Sequence, residues 1–236
     1  VIQTELSQLP LPNGPITSDP NFGNYTIGVS NPLTENTYMG KIDAMLSKVN
    51  HLSGRINVNK NLTDTVFGVA TGQIQSAPGI MVLAMLDDTY TITPKLLNDA
   101  TFNYNRFHVD PLSSPDEDIR NEPIVNYGEG AGTGPGLFNI LIANNSFTYQ
   151  DIATWVHGHQ QIKFGGTVVR NQVNKELGFQ MIATFLTFAQ AQQNQAFSDS
   201  TLGFPRFGLR NTYYDLFFQD DYQLRPRLTL NLGLRY

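Results

Sequence analysis

From Leu228 to the end of the chain every second residue is apolar: Leu228, Leu230, Leu232, Leu234 and Tyr236, with Thr229, Asn231, Gly233 and Arg235 between them. A period of two puts the two sets on opposite faces of one strand. The same alternation recurs along the chain. In TYMGKIDAMLS, Tyr38, Ile42, Ala44 and Leu46 share one parity, and Lys41, Asp43 and Ser47 the other. After the break KVNH, Leu52, Ile56 and Val58 alternate with Ser53, Arg55, Asn57 and Asn59. Two such runs around a short break predict a hairpin. A second hairpin is predicted around TPK. Its apolar parity holds Val82, Ala84, Leu86, Tyr90, Ile92, Leu96, Ala100, Phe102 and Tyr104. Asp87, Thr89, Thr91, Asp99, Thr101, Asn103 and Asn105 fall opposite. A third pair surrounds HGHQ. Its second strand sets Ile162, Phe164 and Val168 against Lys163, Thr167 and Asn171, while its first strand is too mixed for its faces to be assigned. The fourth pair is TYYDLFFQDDYQL and LTLNLGLRY around RPR.

The predicted elements are therefore four hairpins, at about residues 37–59, 80–109, 146–172 and 211–236, after a Pro-, Gly- and Asn-rich stretch, 1–36, that is mostly loop. Within the long excursion after the third hairpin, Phe179, Ile182, Leu186 and Ala189 have helical spacing and predict a short helix. About eight strands of roughly 9–13 residues result, in which short turns alternate with long connections. Membrane-crossing strands need about 9–11 residues, apolar outside and polar inside, with short turns on one side and long loops on the other. A soluble sandwich has no reason to keep every second connection long. The fold class predicted is all-β: an antiparallel up-and-down transmembrane β-barrel, present in part. Its lipid-facing set comprises Leu228, Leu230, Leu232, Leu234, Phe102, Tyr90 and Tyr222; its lumen-facing set comprises Lys41, Asp43, Arg55, Asn57, Asn103, Asn105, Asn231 and Arg235.

One internal echo supports this. DTYTITPKL (88–96) and DDYQLRPRL (220–228) share Asp, Tyr, an aliphatic residue, Pro, a cation and Leu at matching positions. Pro falls at the turn, where no ladder donor is needed, and Tyr90 and Tyr222 fall where an aromatic girdle meets headgroups. Asp88 and Asp220 share the apolar parity. They are expected at the rim near the short turns, or turned inward by a bulge.

Composition narrows the classes. Charged residues make up 15% of the chain, below the usual quarter or so, and 15 Phe and 10 Tyr suit a sheet with one wet and one apolar face. The net charge of −5 argues against nucleic acid as a partner. With no cysteine, thiol catalysis and Cys-based zinc sites are excluded. GEGAGTGPG (128–136) lacks phosphate-loop spacing. His157 and His159 lie at a predicted turn with no third ligand, and PDEDIR (115–120) lacks EF-hand spacing. No triad is ordered by the pattern. Neither enzymatic activity nor a cofactor nor a metal is expected.

The last hairpin, YDLFFQDDYQLRPRLTLNLGLRY, resembles the barrel of TonB-dependent outer-membrane receptors, in the Oar-like branch whose N-terminal part resembles a carboxypeptidase regulatory domain. PLPNG, MGKIDAMLSKVNHLSGRINVN, TYTITPKLLNDATFNYNRF and TWVHGHQQIKFGGTVVRNQ resemble segments of that branch, in order. The resemblance implies one barrel domain over 1–236, an internal piece of a 22-stranded barrel in the bacterial outer membrane. It implies uptake of a large nutrient (oligosaccharide, peptide or metal chelate), with lipid, a plug domain absent from this chain, the TonB complex and an unidentified extracellular ligand as partners. Adhesion or secretion by an Oar-like protein, and a soluble all-β binding module, are the competing expectations. The last predicts burial of the Leu228–Leu234 face. Ligand capture is expected in the long loops, at aromatics such as Phe138, Phe179 and Phe188.

Overall fold

The computed structural model describes residues 9–18, 20–66, 74–110, 124–128, 131–133 and 140–236. Alternation builds eight long strands: β1 (Leu33–Ser47), β2 (Asn50–Val66), β3 (Ile74–Thr93), β4 (Leu96–Val109), β7 (Ile140–His157), β8 (Gln160–Thr184), β9 (Ser198–Arg225) and β10 (Leu228–Arg235). Two short strands, β5 (Ile124–Gly128) and β6 (Ala131–Thr133), and one helix, α1 (Phe188–Gln192), belong to the long connections. The long strands form an antiparallel meander, β1-β2-β3-β4-β7-β8-β9-β10. One pairing is parallel: β5 runs beside the far end of β8, from Ile124↔Ile182 to Asn126↔Thr184.

All four hairpins form where the alternation places them, and the strands run further than the pattern. β2 has 17 residues, β3 20, β8 25 and β9 28, against the roughly 9–13 expected. Apolar alternation marks only the part of a strand with one face out of water. Backbone pairing continues past it, because an adjacent strand satisfies N–H and C=O groups whatever the side chains are. Residues 60–66 and 74–79, between the first two predicted hairpins, are ladder for this reason: β2 and β3 pair out to Val66↔Ile74.

The predicted helix is displaced. Phe179 and Ile182 lie on the strand β8, and the helix occupies only Phe188–Gln192, capped by Thr187, whose hydroxyl accepts from the Gln190 N–H. Apolar residues three and four apart occur by chance in a strand rich in them, and β8 has neighbours on both sides to hold it extended. No helix among the described residues is long and apolar enough to cross a membrane, which has no bearing on strands.

Among the described residues β1 and β10 pair on one side only and not with each other, so the wall they form is an open sheet with two free edges. Backbone approaches closely at Gly165 of β8. A Cβ there would collide with the Asp151 carbonyl and lie 3.0 Å from Ile152 Cα, so glycine lets β7 and β8 meet.

The buried apolar side chains among the described residues are not in the wall. Val125, Tyr127, Phe185 and Ala191 form a small core beside the long connections, against which Leu9, Phe22, Ala183 and Ala196 pack. Tyr127 and Phe185 stack with centroids 6.3 Å apart at 9°, and Phe22 meets Phe188 edge-on at 5.8 Å. The N-terminal segment folds back through the Ile16↔Gly23 bridge and the Gly14 N–H to Asn24 carbonyl bond of 2.9 Å, bringing Phe22 to this core. The Leu228–Leu234 face is uncovered: Leu232 is 59% and Leu234 76% exposed. That removes the burial a soluble module requires.

Candidate functional site

Register decides which residues share a face. Continuous pairing carries one parity from β1 to β9 as the row Ile42, Gly54, Leu86, Phe102, Tyr149, Val168, Tyr214. Phe102 packs on Tyr149 at 5.0 Å and Tyr104 on Phe147 at 5.1 Å, cross-strand aromatic pairs that add about 0.5–1.5 kcal/mol each. Tyr90, Tyr222, Leu230, Leu232 and Leu234 share this apolar face. Leu228 is of the same parity but lies beside the register shift between Leu228 and Thr229.

The opposite face carries Lys41, Asp43, Arg55, Asn57, Asn103, Asn105, Asn231 and Arg235, arranged in layers. One layer, on the short-turn side of the other two described below, is Asp43, Ser53, Asp87, Thr101, Gln150, Thr167, Asp215. Next comes Lys41, Arg55, Met85, Asn103, Thr148, Val169, Tyr213. The third layer is Met39, Asn57, Leu83, Asn105, Ser146, Asn171, Asn211. Several charges here have local partners: Lys41 Nζ lies 2.7 Å from Asp43, Thr101 donates to Asp87 at 2.8 Å, and the guanidinium of Arg235, level with Phe217, forks onto Asp215.

Two basins open over the third layer. One, of about 630 Å³, is bounded by Asn105, Phe107, Asn144, Ser146, Asn171 and Asn211 among others; the second, of about 450 Å³, by Arg55, Asn57, Asn103 and Thr148, and it shares Asn105 and Ser146 with the first. Asn144, Ser146, Asn171 and Asn211 were not among the residues expected to line a lumen. Asn171 has the right parity in the sequence, but which residues stand level with it is set by register over four strands. Lys41, Asp43, Asn231 and Arg235 share the polar face without bordering either basin.

Asp88 and Asp220 stay on the apolar face. Neither strand has a register shift at these residues, which corrects the inward bulge. Each carboxylate instead accepts a side-chain amide from the strand across a hairpin-to-hairpin seam: Asn50 Nδ2 to Asp88 at 2.8 Å, Gln160 Nε2 to Asp220 at 2.9 Å. Asn98 Nδ2 to Asp151 repeats the arrangement at the seam between β4 and β7. All three seams thus hold one amide–carboxylate pair toward the short turns. Alanine at Asn50, at Asp88 and at both is expected to give a coupling of about 0.5–1.5 kcal/mol. Purely additive losses in urea titrations of the lipid-inserted protein would show that the pair is not a unit.

Of the loop aromatics, Phe138 lies outside the described residues, Phe179 falls on β8, and Phe188 joins Phe22, Tyr25 and Tyr127 around a cavity of about 260 Å³. Most of 128–136 and all of 115–120 lie outside the described residues. His157 ends β7 against the Trp155 ring at 5.1 Å, and His159 follows in the turn at Gly158, whose φ of +57° suits glycine.

Comparison with known proteins follows from this geometry. A family model described as an outer membrane beta barrel domain matches residues 1–236. No curated protein matches the chain. The crystal structure of the outer membrane transporter YddB from Escherichia coli is similar, with a TM-score of 0.61 at 14% identity, over 86% of this chain and 27% of that one. At that identity the likeness concerns the fold, and the chain spans about a quarter of the transporter's length.

Proposed function

Because this chain belongs to the outer membrane beta barrel domain family, and so meets lipid in the bacterial outer membrane, we propose that it is a wall segment of a TonB-dependent receptor that imports a large nutrient. The observation that carries this is the register: one apolar and one polar face persist across eight strands, and both edge strands are left free to pair. Hydrocarbon tolerates no unpaired edge, so a membrane-spanning wall of this kind closes with further strands. The apolar face then meets lipid. Lys41, Asp43, Arg55, Asn57, Asn103, Asn105, Asn231 and Arg235 line the lumen, where they solvate the interior and contact a plug domain or a passing ligand. The likeness to an outer membrane transporter supports import, as does the layered polar face. No residue acts as a catalyst in this scheme, and neither cofactor nor metal takes part.

The test uses the full-length protein in its own outer membrane, with single cysteines at Leu230 and Asn231 read by lipid-depth spin labels. Leu230 in hydrocarbon and Asn231 in water is the expected result; the same environment at both would break the wall assignment. A strain lacking the protein is expected to lose growth on one class of large nutrient. Normal growth with lost cell–cell contact would replace import with adhesion.

A further inference from the structure

The third polar layer has an unusual chemistry. From Asn57 on β2 to Asn211 on β9 it holds Asn57, Leu83, Asn105, Ser146, Asn171 and Asn211 in direct register. Five strand spacings of roughly 4.8 Å make this ledge about 24 Å long. The two basins join along it through Asn105 and Ser146. Each asparagine offers two N–H donors and a carbonyl acceptor. Phe107 and Leu209 border the larger basin and supply apolar surface beside the amides.

The charge distribution along the ledge is uneven. Arg55 is the cation of the smaller basin, at its β2 end. Arg210 borders the larger basin, but it has the other strand parity, and its guanidinium is engaged by Asn174 Oδ1 at 2.7 Å and by the Val173 and Leu209 carbonyls. Two acceptors are left over. Asn57, which borders the smaller basin, and Asn144, which borders the larger, each carry an Oδ1 shielded from solvent and without a hydrogen-bond partner among the described residues. A buried acceptor without a partner costs about 1–3 kcal/mol and calls for a donor. Carboxylates, phosphates and metal chelates built on oxyanions bring acceptors alone, and would use only the N–H groups of the ledge. A neutral hydroxyl brings the donor required.

A peptide fits less well. Extended peptides are held chiefly by backbone ladders at a free sheet edge, and the strands beneath the ledge already have a neighbour on each side. A polyhydroxylated chain needs no edge. Its hydroxyls donate and accept at each ring, and its ring faces pack on apolar side chains.

We propose that the ledge is a binding site for a neutral oligosaccharide lying across the strands. This rests on the lumen assignment above and selects one of the three nutrient classes that the barrel resemblance leaves open. The experiment measures binding of the full-length, lipid-inserted protein to neutral hexasaccharides of glucose, xylose and N-acetylglucosamine, with hexagalacturonate as the anionic counterpart. At least one neutral hexasaccharide is expected to bind, and hexagalacturonate about tenfold or more weaker. Asn171→Leu is expected to weaken the neutral ligand about tenfold, and Arg55→Met by less than about threefold. Asn211→Ser provides a second, milder variant should Asn171→Leu fail to insert. Preference for hexagalacturonate with loss in Arg55→Met, failure of every hexasaccharide to bind, or neutral binding unchanged in both ledge variants would each overturn the proposal. So would a rise in ion conductance in Asn171→Leu with binding unchanged, since the ledge would then be seating a protein domain. Sugar binding without uptake by cells would remove the import reading and leave the ledge standing. Uptake of another nutrient, unaffected by Asn171→Leu, would do the reverse.

Discussion

Phe102→Arg is expected to destabilise the membrane-inserted protein by about 2–4 kcal/mol from the charge placed in hydrocarbon, with about 0.5–1.5 kcal/mol more from the lost contact with Tyr149. Phe102 belongs to a row of the apolar face that crosses seven strands without a charged residue, from Ile42 to Tyr214. Its ring stacks obliquely on Tyr149, 5.0 Å away. An arginine there can reach water only by snorkelling along the wall. The adjacent Asn103→Arg change adds the same charge to the polar face, in the layer that already holds Lys41 and Arg55. It should change stability by no more than about 0.5 kcal/mol. Urea titration in lipid vesicles compares the two directly. Equal losses, or a larger loss for Asn103→Arg, would invert the faces of the wall and remove the lumen from the proposed function.

Tyr127→Ala should have a comparable effect confined to the module beside the long connections. Tyr127 is fully buried, stacked on Phe185, and the Phe185 N–H donates to the Asn126 carbonyl at 2.8 Å. Deleting a buried aromatic ring of this size costs about 3–5 kcal/mol. The wall depends on strand pairing rather than on this core, so the loss should appear as local opening. Hydrogen exchange is expected to quicken in residues 9–26, 124–128 and 185–197, while amides of the paired strands keep their protection. Uniform quickening would mean that module and wall unfold together, and unchanged exchange would mean that the ring contributes nothing. The N-terminal segment should loosen with the rest, because Phe22 reaches the core through Phe188. Gly23 permits this fold-back: a Cβ there would come within 2.6 Å of Pro12 Cβ.

How much was legible depends on the range of the interaction. Leu228 to Leu234 announce their face by themselves, since side-chain direction alternates with each residue whatever the strand's neighbours are. The hairpins follow from the same period and from Pro94, Gly158 and Pro226 at the turns. The echo of Asp88–Tyr90 in Asp220–Tyr222 was visible as text, but not its cause. Its cause is an amide donor on the next hairpin, Asn50 in one case and Gln160 in the other. The third pair, Asn98 with Asp151, has no Tyr two residues on and left no echo. It also accounts in part for the mixed pattern of β7, whose apolar parity carries Asp151 and Asn145. Phe179, Ile182, Leu186 and Ala189 misled because a helical spacing says nothing about β8 having a partner on either side.

The sequence by itself determined the period, and with it the hairpins, the two faces and the side of the strand on which each of Lys41, Asp43, Arg55, Asn57, Asn103, Asn105, Asn231 and Arg235 falls. These are properties of consecutive residues. Only the tertiary structure decided the lengths of the strands, the amide–carboxylate seams, the Tyr127 core and the alignment of Asn57, Asn105, Asn171 and Asn211 into one ledge. Each of those depends on register between strands far apart in the chain. Register comes from the whole set of backbone ladders and cross-strand contacts acting together, which no local pattern contains.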